Sequence, residues 1–311
     1  MPVLGPVLLA AARSDVIRRA VSATPLTRPV VDRFVAGERL DQSLTAVREL
    51  AGAGLAVTLD HLGEDVTDKA QVVRARDAYL ALLEALRAEG LGERAELSLK
   101  LSAFGLRLPG GGEEFAHRAV EPVVAAAAEA GTMVTLDMED HTAVDGTLTV
   151  LGALRGRFPR TGVAVQSYLY RTEDDCRALA ATGCRVRLVK GAYREPASVA
   201  HQDRRQVDLA YVRALRILLT GGGYPMIATH DPRLIAIAEE LARRLERAPD
   251  SYEFQMLYGI RTEEQLRLAR AGHLMRVYVP YGTDWYGYFM RRLAERPANL
   301  GFFARSLLTR G

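Results

Sequence analysis

Thr132-Met133-Val134-Thr135-Leu136-Asp137, Gly162-Val163-Ala164-Val165-Gln166-Ser167 and Arg185-Val186-Arg187-Leu188-Val189-Lys190 are the runs that decide the fold. Each is short, mostly apolar between its ends and closed by a polar or charged residue. Between them lie longer segments whose apolar residues recur at helical spacing. Short buried runs alternating with amphipathic helices are the signature of parallel strands joined by helical crossovers.

Working outward, the same reading finds Leu55–Leu59, Ala95–Leu101, Pro225–Thr229, Tyr252–Met256 and Leu274–Val279, which completes eight strands. Helices are expected over segments such as Thr67–Ala88, Glu113–Ala130, Asp203–Leu219 and Pro232–Arg244. Glycines stand where helices end (Gly52, Gly54, Gly131, Gly183, Gly221–Gly223, Gly272) and suit the left-handed residue that closes a helix. Eight strands alternating with helices fit a closed (β/α)8 barrel or an open doubly wound sheet. The dinucleotide signature G-x-G-x-x-G is missing after the first strand. Gly52 and Gly54 precede a strand, the wrong order for a phosphate loop. Gly110–Gly112 reads as a loop tip. The expected fold is therefore α/β, a closed TIM-type barrel. Val16–Ala23 and Asp41–Leu50 read as helices outside the repeat. They divide the chain into an N-terminal helical segment, 1–54, and a barrel, 55–311, with no linker between them.

The chain has 311 residues, 49% hydrophobic and 25% charged, with a formal net charge of +3, as in ordinary soluble domains. Basic residues are interleaved with acids, and no basic run of the kind that tracks nucleic acid is present. Cys176 and Cys184 are too few for a disulfide framework and read as free thiols in a reducing compartment. Met1–Ala12 is apolar but short and lacks a basic lead, so a cytoplasmic protein without a transmembrane segment is expected.

In a βα-barrel the active site lies at the C-terminal ends of the strands. Those ends are unusually charged here: Leu62-Gly63-Glu64, Lys100, Asp137-Met138-Glu139-Asp140-His141, Gln166, Arg187 and Lys190, Thr229-His230-Asp231, Glu253-Phe254-Gln255-Met256-Leu257, and Tyr278. One buried charge can be a structural ion pair. The same habit at six strand ends points to a site, because each buried charge needs a partner or a ligand. Lys190 suits a Schiff-base lysine. The acids around Asp137 suit a divalent metal, although neighbours on a strand face opposite ways. His61, His117, His201 and His273 lack metal-site spacing and read as surface or packing residues. Arg291 and Arg292, on an expected helix over Asp284–Arg296, suit a bidentate grip on a small carboxylate together with Lys100. The plainer alternative is a solvated helix face with an Arg291–Glu295 pair.

Taken together, these motifs resemble a known family. Ser98-Leu99-Lys100, Leu136-Asp137-Met138-Glu139, Gln166-Ser167-Tyr168, Arg187-Leu188-Val189-Lys190-Gly191-Ala192-Tyr193, Ala228-Thr229-His230, Phe254-Gln255-Met256-Leu257 and Tyr278 followed by Tyr288-x-x-Arg291-Arg292-x-x-Glu295 occur in this order. The pattern, from about Leu55 to Arg296, resembles the monofunctional bacterial proline dehydrogenases and the related domain of bifunctional proline-catabolic proteins. The resemblance implies a distorted barrel that binds FAD without a Rossmann fold, with its final helix over the barrel mouth. It implies oxidation of L-proline to Δ1-pyrroline-5-carboxylate by hydride transfer to FAD, and electrons passed to a quinone at a membrane surface.

By the same resemblance, Lys100, Arg291 and Arg292 bind the proline carboxylate, and Leu257, Tyr278 and Tyr288 line the substrate pocket. Tyr278 is also the first residue to suspect for excluding hydroxyproline. Asp137 supports the substrate end, Arg187 sits near the reactive flavin nitrogen and Gln166 near the pyrimidine edge. Met138, Val189, Lys190, Gly191, Ala192, Thr229, His230, Gln255, Glu295 and Arg296 contact FAD. Glu64 and Arg291 form a gate. No metal is implied. The chain departs from the bifunctional relatives at Arg194, where they carry Trp, at Asp231, where Asn is frequent, and in a shorter turn between Tyr278 and Tyr288.

Overall fold

A computed structural model describes residues 28–63 and 66–295, leaving aside the side chains of 29, 30 and 293–295. Eight strands are present: β1 Ala56–His61, β2 Ala95–Leu99, β3 Met133–Leu136, β4 Gly162–Gln166, β5 Arg185–Val189, β6 Tyr224–Ala228, β7 Glu253–Leu257 and β8 Met275–Tyr281. All pair in parallel with their sequence neighbours, and β8 pairs back onto β1, so the barrel is closed. Val57 is the junction: it faces Ala95 on one side and Val277 on the other.

The outward residues of the strands are aliphatic, among them Val57, Leu59, Leu97, Leu99, Val163, Val186, Leu188, Val277 and Val279, all essentially inaccessible. They bury against the helices that join the strands, among them Lys69–Ala88, Glu113–Glu129, Arg204–Thr220 and Pro232–Arg244. Helix entry is fixed by side-chain caps. Asp68, Asp203 and Asp231 each accept a backbone N–H of the first turn, satisfying donors that the helix itself leaves unpaired. Gly131 is left-handed (φ 72°), as a helix-closing glycine should be. Gly221 differs from expectation. It is extended (φ −83°, ψ 176°), and a Cβ there would lie 2.6 Å from that of Ala180, so close packing explains it. Gly52 also differs, being the last residue of helix Leu40–Gly52.

Helix Leu40–Gly52 packs against β1 and β8. A separate apolar cluster, with Val31, Phe34, Val35, Leu62, Ile260, Trp285, Tyr288 and Phe289, ties the segment after 28 to helix Trp285–Glu295. Leu62 follows β1, Ile260 follows β7, and Leu257 ends β7 and packs on the same cluster. The final helix therefore sits over the C-terminal mouth. The expected helix Val16–Ala23 lies outside the described residues.

Candidate active site

Barrel interiors are usually filled by layers of branched aliphatic side chains. Here many inward positions are polar, and contacts between strands that are not neighbours cross the lumen. Near the N-terminal end of the barrel, Arg276 Nε donates to Glu253 Oε1 at 2.7 Å and lies 3.2 Å from Glu96 Oε2. Arg185 Nη2 reaches the same two carboxylates at 3.5 and 3.8 Å, with its guanidinium 4.4 Å from the centre of the Tyr224 ring. Burial pushes Glu253 up, but Arg276 and Arg185 outweigh it and hold the carboxyl at about 2.

Nearer the mouth, Arg187 is 3% exposed. Its Nε donates to Gln255 Oε1 at 2.6 Å, and its Nη1 to Asp137 Oδ1 at 2.6 Å and Ser98 Oγ at 2.7 Å. Gln255 Nε2 donates in turn to Glu253 Oε1 at 2.6 Å, which fixes the amide orientation. Arg187 Nη2 is buried without a hydrogen-bond partner among the described residues; Glu96 lies 3.6 Å away.

Lys100, Asp60, Asp137 and Tyr278 form the next group. β2 stops at Leu99, shorter than expected, and Lys100 opens the 3-10 turn Leu101–Phe104. Lys100 Nζ donates to Asp60 Oδ2 at 2.8 Å and lies 3.6 Å from Asp137 Oδ2. Tyr278 Oη is 2.7 Å from both Asp60 Oδ2 and Asp137 Oδ2. Burial works against the Asp137 carboxylate, but Arg187 and Lys100 outweigh it and lower its pKa. Burial pushes the Tyr278 hydroxyl far up, and the two aspartates add to this, so it remains protonated.

The other predicted residues fall into two arcs. Met138, Gln166, Val189, Lys190, Gly191, Ala192, Thr229 and His230 all lie at the ends of β3, β4, β5 and β6. Lys100, Tyr278 and Leu257 lie at the ends of β2, β8 and β7, beneath the helix that carries Tyr288, Arg291 and Arg292. Arg187, from the first arc, binds Asp137 and Gln255 and so links the two. Gln166 is buried, and its Oε1 has no hydrogen-bond partner among the described residues. His230 Nε2 accepts the Leu257 backbone N–H at 2.9 Å, which joins the ends of β6 and β7. Gly191 needs no cofactor to explain it. Its φ is +118°, and a Cβ would enter the Tyr168 ring.

Arg291 and Arg292 are both half-buried, and as helix neighbours they leave the axis about 100° apart. The Arg292 guanidinium lies 5.2 Å from the centre of the Tyr288 ring. Glu64 and Arg296 lie outside the described residues, as does the side chain of Glu295.

Two alternative chemistries lose their footing. A Schiff-base lysine sits neutral in an apolar pocket. Lys190 instead pairs with Asp208 at 2.5 Å and Asp231 at 3.1 Å. The acids after β3 disperse: Glu139 accepts the Ser102 N–H, Asp140 pairs with Arg107, and His141 pairs with Glu195. Among the described residues, no three His, Cys, Asp or Glu side chains form a metal set. His61, His201 and His273 pack against aromatic rings.

Asp60, Glu96, Arg185 and Arg276 are the network members that the sequence reading missed. Their signal was present. Each is a charge at alternate spacing inside an apolar strand, the same rule that singled out Lys100 and Arg187.

A closed parallel barrel with a charged interior opening at the C-terminal strand ends defines the class, a TIM-type barrel enzyme. Residues 43–305 match the family model described as proline dehydrogenase, and the chain belongs to that family. It is 39% identical over 282 residues to Proline dehydrogenase 1 of Bacillus subtilis (strain 168), covering 91% of this chain and 92% of that protein. It is 41% identical over 281 residues to the Proline dehydrogenase of Deinococcus radiodurans, covering 90% of each. The Bifunctional protein PutA of Escherichia coli (strain K12) is 27% identical over 332 residues, 91% of this chain and 25% of that protein. The crystal structure of proline utilization A from Bdellovibrio bacteriovorus superposes with a TM-score of 0.82 at 23% identity, over 91% of this chain and 34% of that one, a likeness of fold. Family membership makes the chain an oxidoreductase of proline catabolism.

Proposed function

We propose that this proline dehydrogenase oxidises L-proline to Δ1-pyrroline-5-carboxylate, the first step of proline degradation to glutamate, with FAD as hydride acceptor and a quinone as final electron acceptor. The observation that carries this reading is the division of the mouth into two arcs joined by the buried Arg187–Asp137 pair at 2.6 Å. One arc, from β3 to β6, suits a cofactor; the other, with the final helix, suits a small carboxylate.

The donors and acceptors left over in the first arc suit a flavin. Gln166 Oε1 is a buried acceptor without a hydrogen-bond partner among the described residues, while Arg187 Nη2 faces Glu96 at 3.6 Å. Leaving such an atom unpaired costs roughly 1–3 kcal/mol, so a planar ring whose edge carries both donors and acceptors is a natural occupant. The predicted β3–β6 residues, with Gln255 and the terminal Glu295 and Arg296, would hold it. FAD would supply the hydride acceptor for C5 of the proline ring.

The protein orients and tunes. Lys100, Arg291 and Arg292 take the substrate carboxylate, with the guanidiniums suited to bidentate contact. Leu257, Tyr278 and Tyr288 shape the ring pocket, and Asp137 holds both Tyr278 and Arg187 in place. The fixed charge of Arg187 favours negative charge gained nearby, at no reorganisation cost because its partners already hold it. Glu64 and Arg291 are proposed as the gate. No helix of the described residues is long and apolar enough to cross a membrane; the proposed encounter with a quinone is peripheral, at the inner membrane face of a cytoplasmic protein.

The test of the cofactor assignment is the purified protein's colour. The expected result is a yellow, folded protein whose flavin is released by denaturation as FAD. A folded sample without flavin absorbance, and with no gain on adding FAD, contradicts the reading.

A further inference from the structure

Asp60 is 1% exposed at the end of β1, where Tyr278 Oη stands 2.7 Å from Asp60 Oδ2 and 2.7 Å from Asp137 Oδ2. A phenol hydroxyl carries one proton and donates one hydrogen bond, while ionised carboxylates only accept. With both aspartates ionised, one of those two contacts would join two oxygens with no hydrogen between them. In a buried site such a contact is strongly unfavourable. One additional proton resolves the conflict.

The surroundings say which aspartate holds it. Asp137 Oδ1 already accepts from Arg187 Nη1 and Ser98 Oγ, and Lys100 stands 3.6 Å from its Oδ2. Among the described residues, the cation bonded to Asp60 is Lys100, on the same oxygen that faces Tyr278. Burial and the negative charge of Asp137 both disfavour ionised Asp60, against the pull of Lys100, and the balance leaves its pKa raised. The other titratable groups that sense Asp60 are His61, Tyr79 and Tyr281. Asp284 acts on His61, Glu139 feels Lys100, and Arg187 lies 5.4 Å from the centre of the Tyr278 ring.

We propose that Asp60 holds a proton in the resting site and donates it to Tyr278 Oη, making it the residue that positions Tyr278 and keeps a second negative charge away from a substrate carboxylate beside Lys100. The order of donation is Asp60 to Tyr278, then Tyr278 to Asp137, with Lys100 donating to Asp60 at one end and Arg187 to Asp137 at the other. When Asp60 loses its proton, it adds a second carboxylate beside Lys100 and repels an incoming carboxylate. The sign follows. The proton is held below the raised pKa of Asp60 and lost above it. Carboxylate binding is strongest on the acid side and weakens as pH rises through that value, where each binding event takes up a proton. The second half of this inference rests on the reading of Lys100 as a carboxylate ligand; the first half does not.

Two measurements on the holoenzyme separate the halves. The first is the infrared band of a protonated carboxyl, recorded where ordinary aspartates are ionised. Wild type should show a component of that band that Asp60→Asn lacks. A band absent from wild type, or unchanged in Asp60→Asn, overturns the proposal. Should Asp60→Asn not fold, wild type carrying carboxyl-13C aspartate serves instead. One aspartate must titrate well above the ordinary range, and uniformly ordinary titration overturns the proposal. The second measurement is calorimetric binding of cyclopentanecarboxylate, which has ring and carboxylate but no amine. Wild-type affinity should fall with rising pH by up to about tenfold per unit, the limit for one linked proton. Asp60→Asn should remove that dependence. If the infrared result holds and the dependence survives in Asp60→Asn, the proton stays on Asp60 and its link to Lys100 is overturned.

Discussion

Tyr278 joins groups that local sequence does not connect. It sits on β8, yet its hydroxyl is in contact with aspartates from β1 and after β3. Tyr278→Phe keeps the ring and removes the bridge. A hydrogen bond to a charged group contributes roughly 1.5–3 kcal/mol, so kcat/KM for proline should fall about 10- to 100-fold in a folded variant. Steady-state kinetics beside a thermal melt check this; an unchanged kcat/KM refutes the bridge. At this scale the sequence was partly legible. Charges inside apolar strands were enough to mark Lys100, Asp137 and Arg187. Their partners were not legible, because Lys100 with Asp60 and Arg187 with Ser98 meet across or around the lumen. Hydrophobic periodicity reports which face a residue takes, not which distant residue shares it.

The final helix shows what an element adds. Its aromatic face packs Phe289 against Phe34 and Trp285 and seats the helix over the mouth, where Arg291 and Arg292 are half-buried. Phe289→Ala should cost about 3–5 kcal/mol of local packing, the usual range for a buried phenylalanine. Because that packing holds the arginines proposed to bind the carboxylate rather than the barrel, KM for proline should rise more than kcat falls. A lowered melting temperature with unchanged KM would show that the helix does not position the substrate. Each of the eight expected strands appears with ends shifted by at most two residues. The early end of β2 has a cause: the backbone turns into a 3-10 helix after Lys100, which apolar spacing does not register.

For the whole molecule, the central feature is a barrel filled with paired charges in place of an aliphatic core. Alternation of strands and helices was plain in the sequence; closure was not, because open and closed sheets share that alternation. The missing phosphate loop favoured closure, and the pairing of β8 with β1 supplies it. A charged lumen is costly unless every charge is paired, and removing one partner of such a pair typically costs about 3–5 kcal/mol. An arrangement of that kind, opening under a helix with two arginines, suits oxidation of a small amino acid by a bound flavin. The direct test is the visible spectrum of the purified holoenzyme before and after anaerobic addition of L-proline. Loss of the flavin absorbance is the predicted result. A flavin spectrum unchanged by proline would contradict the account.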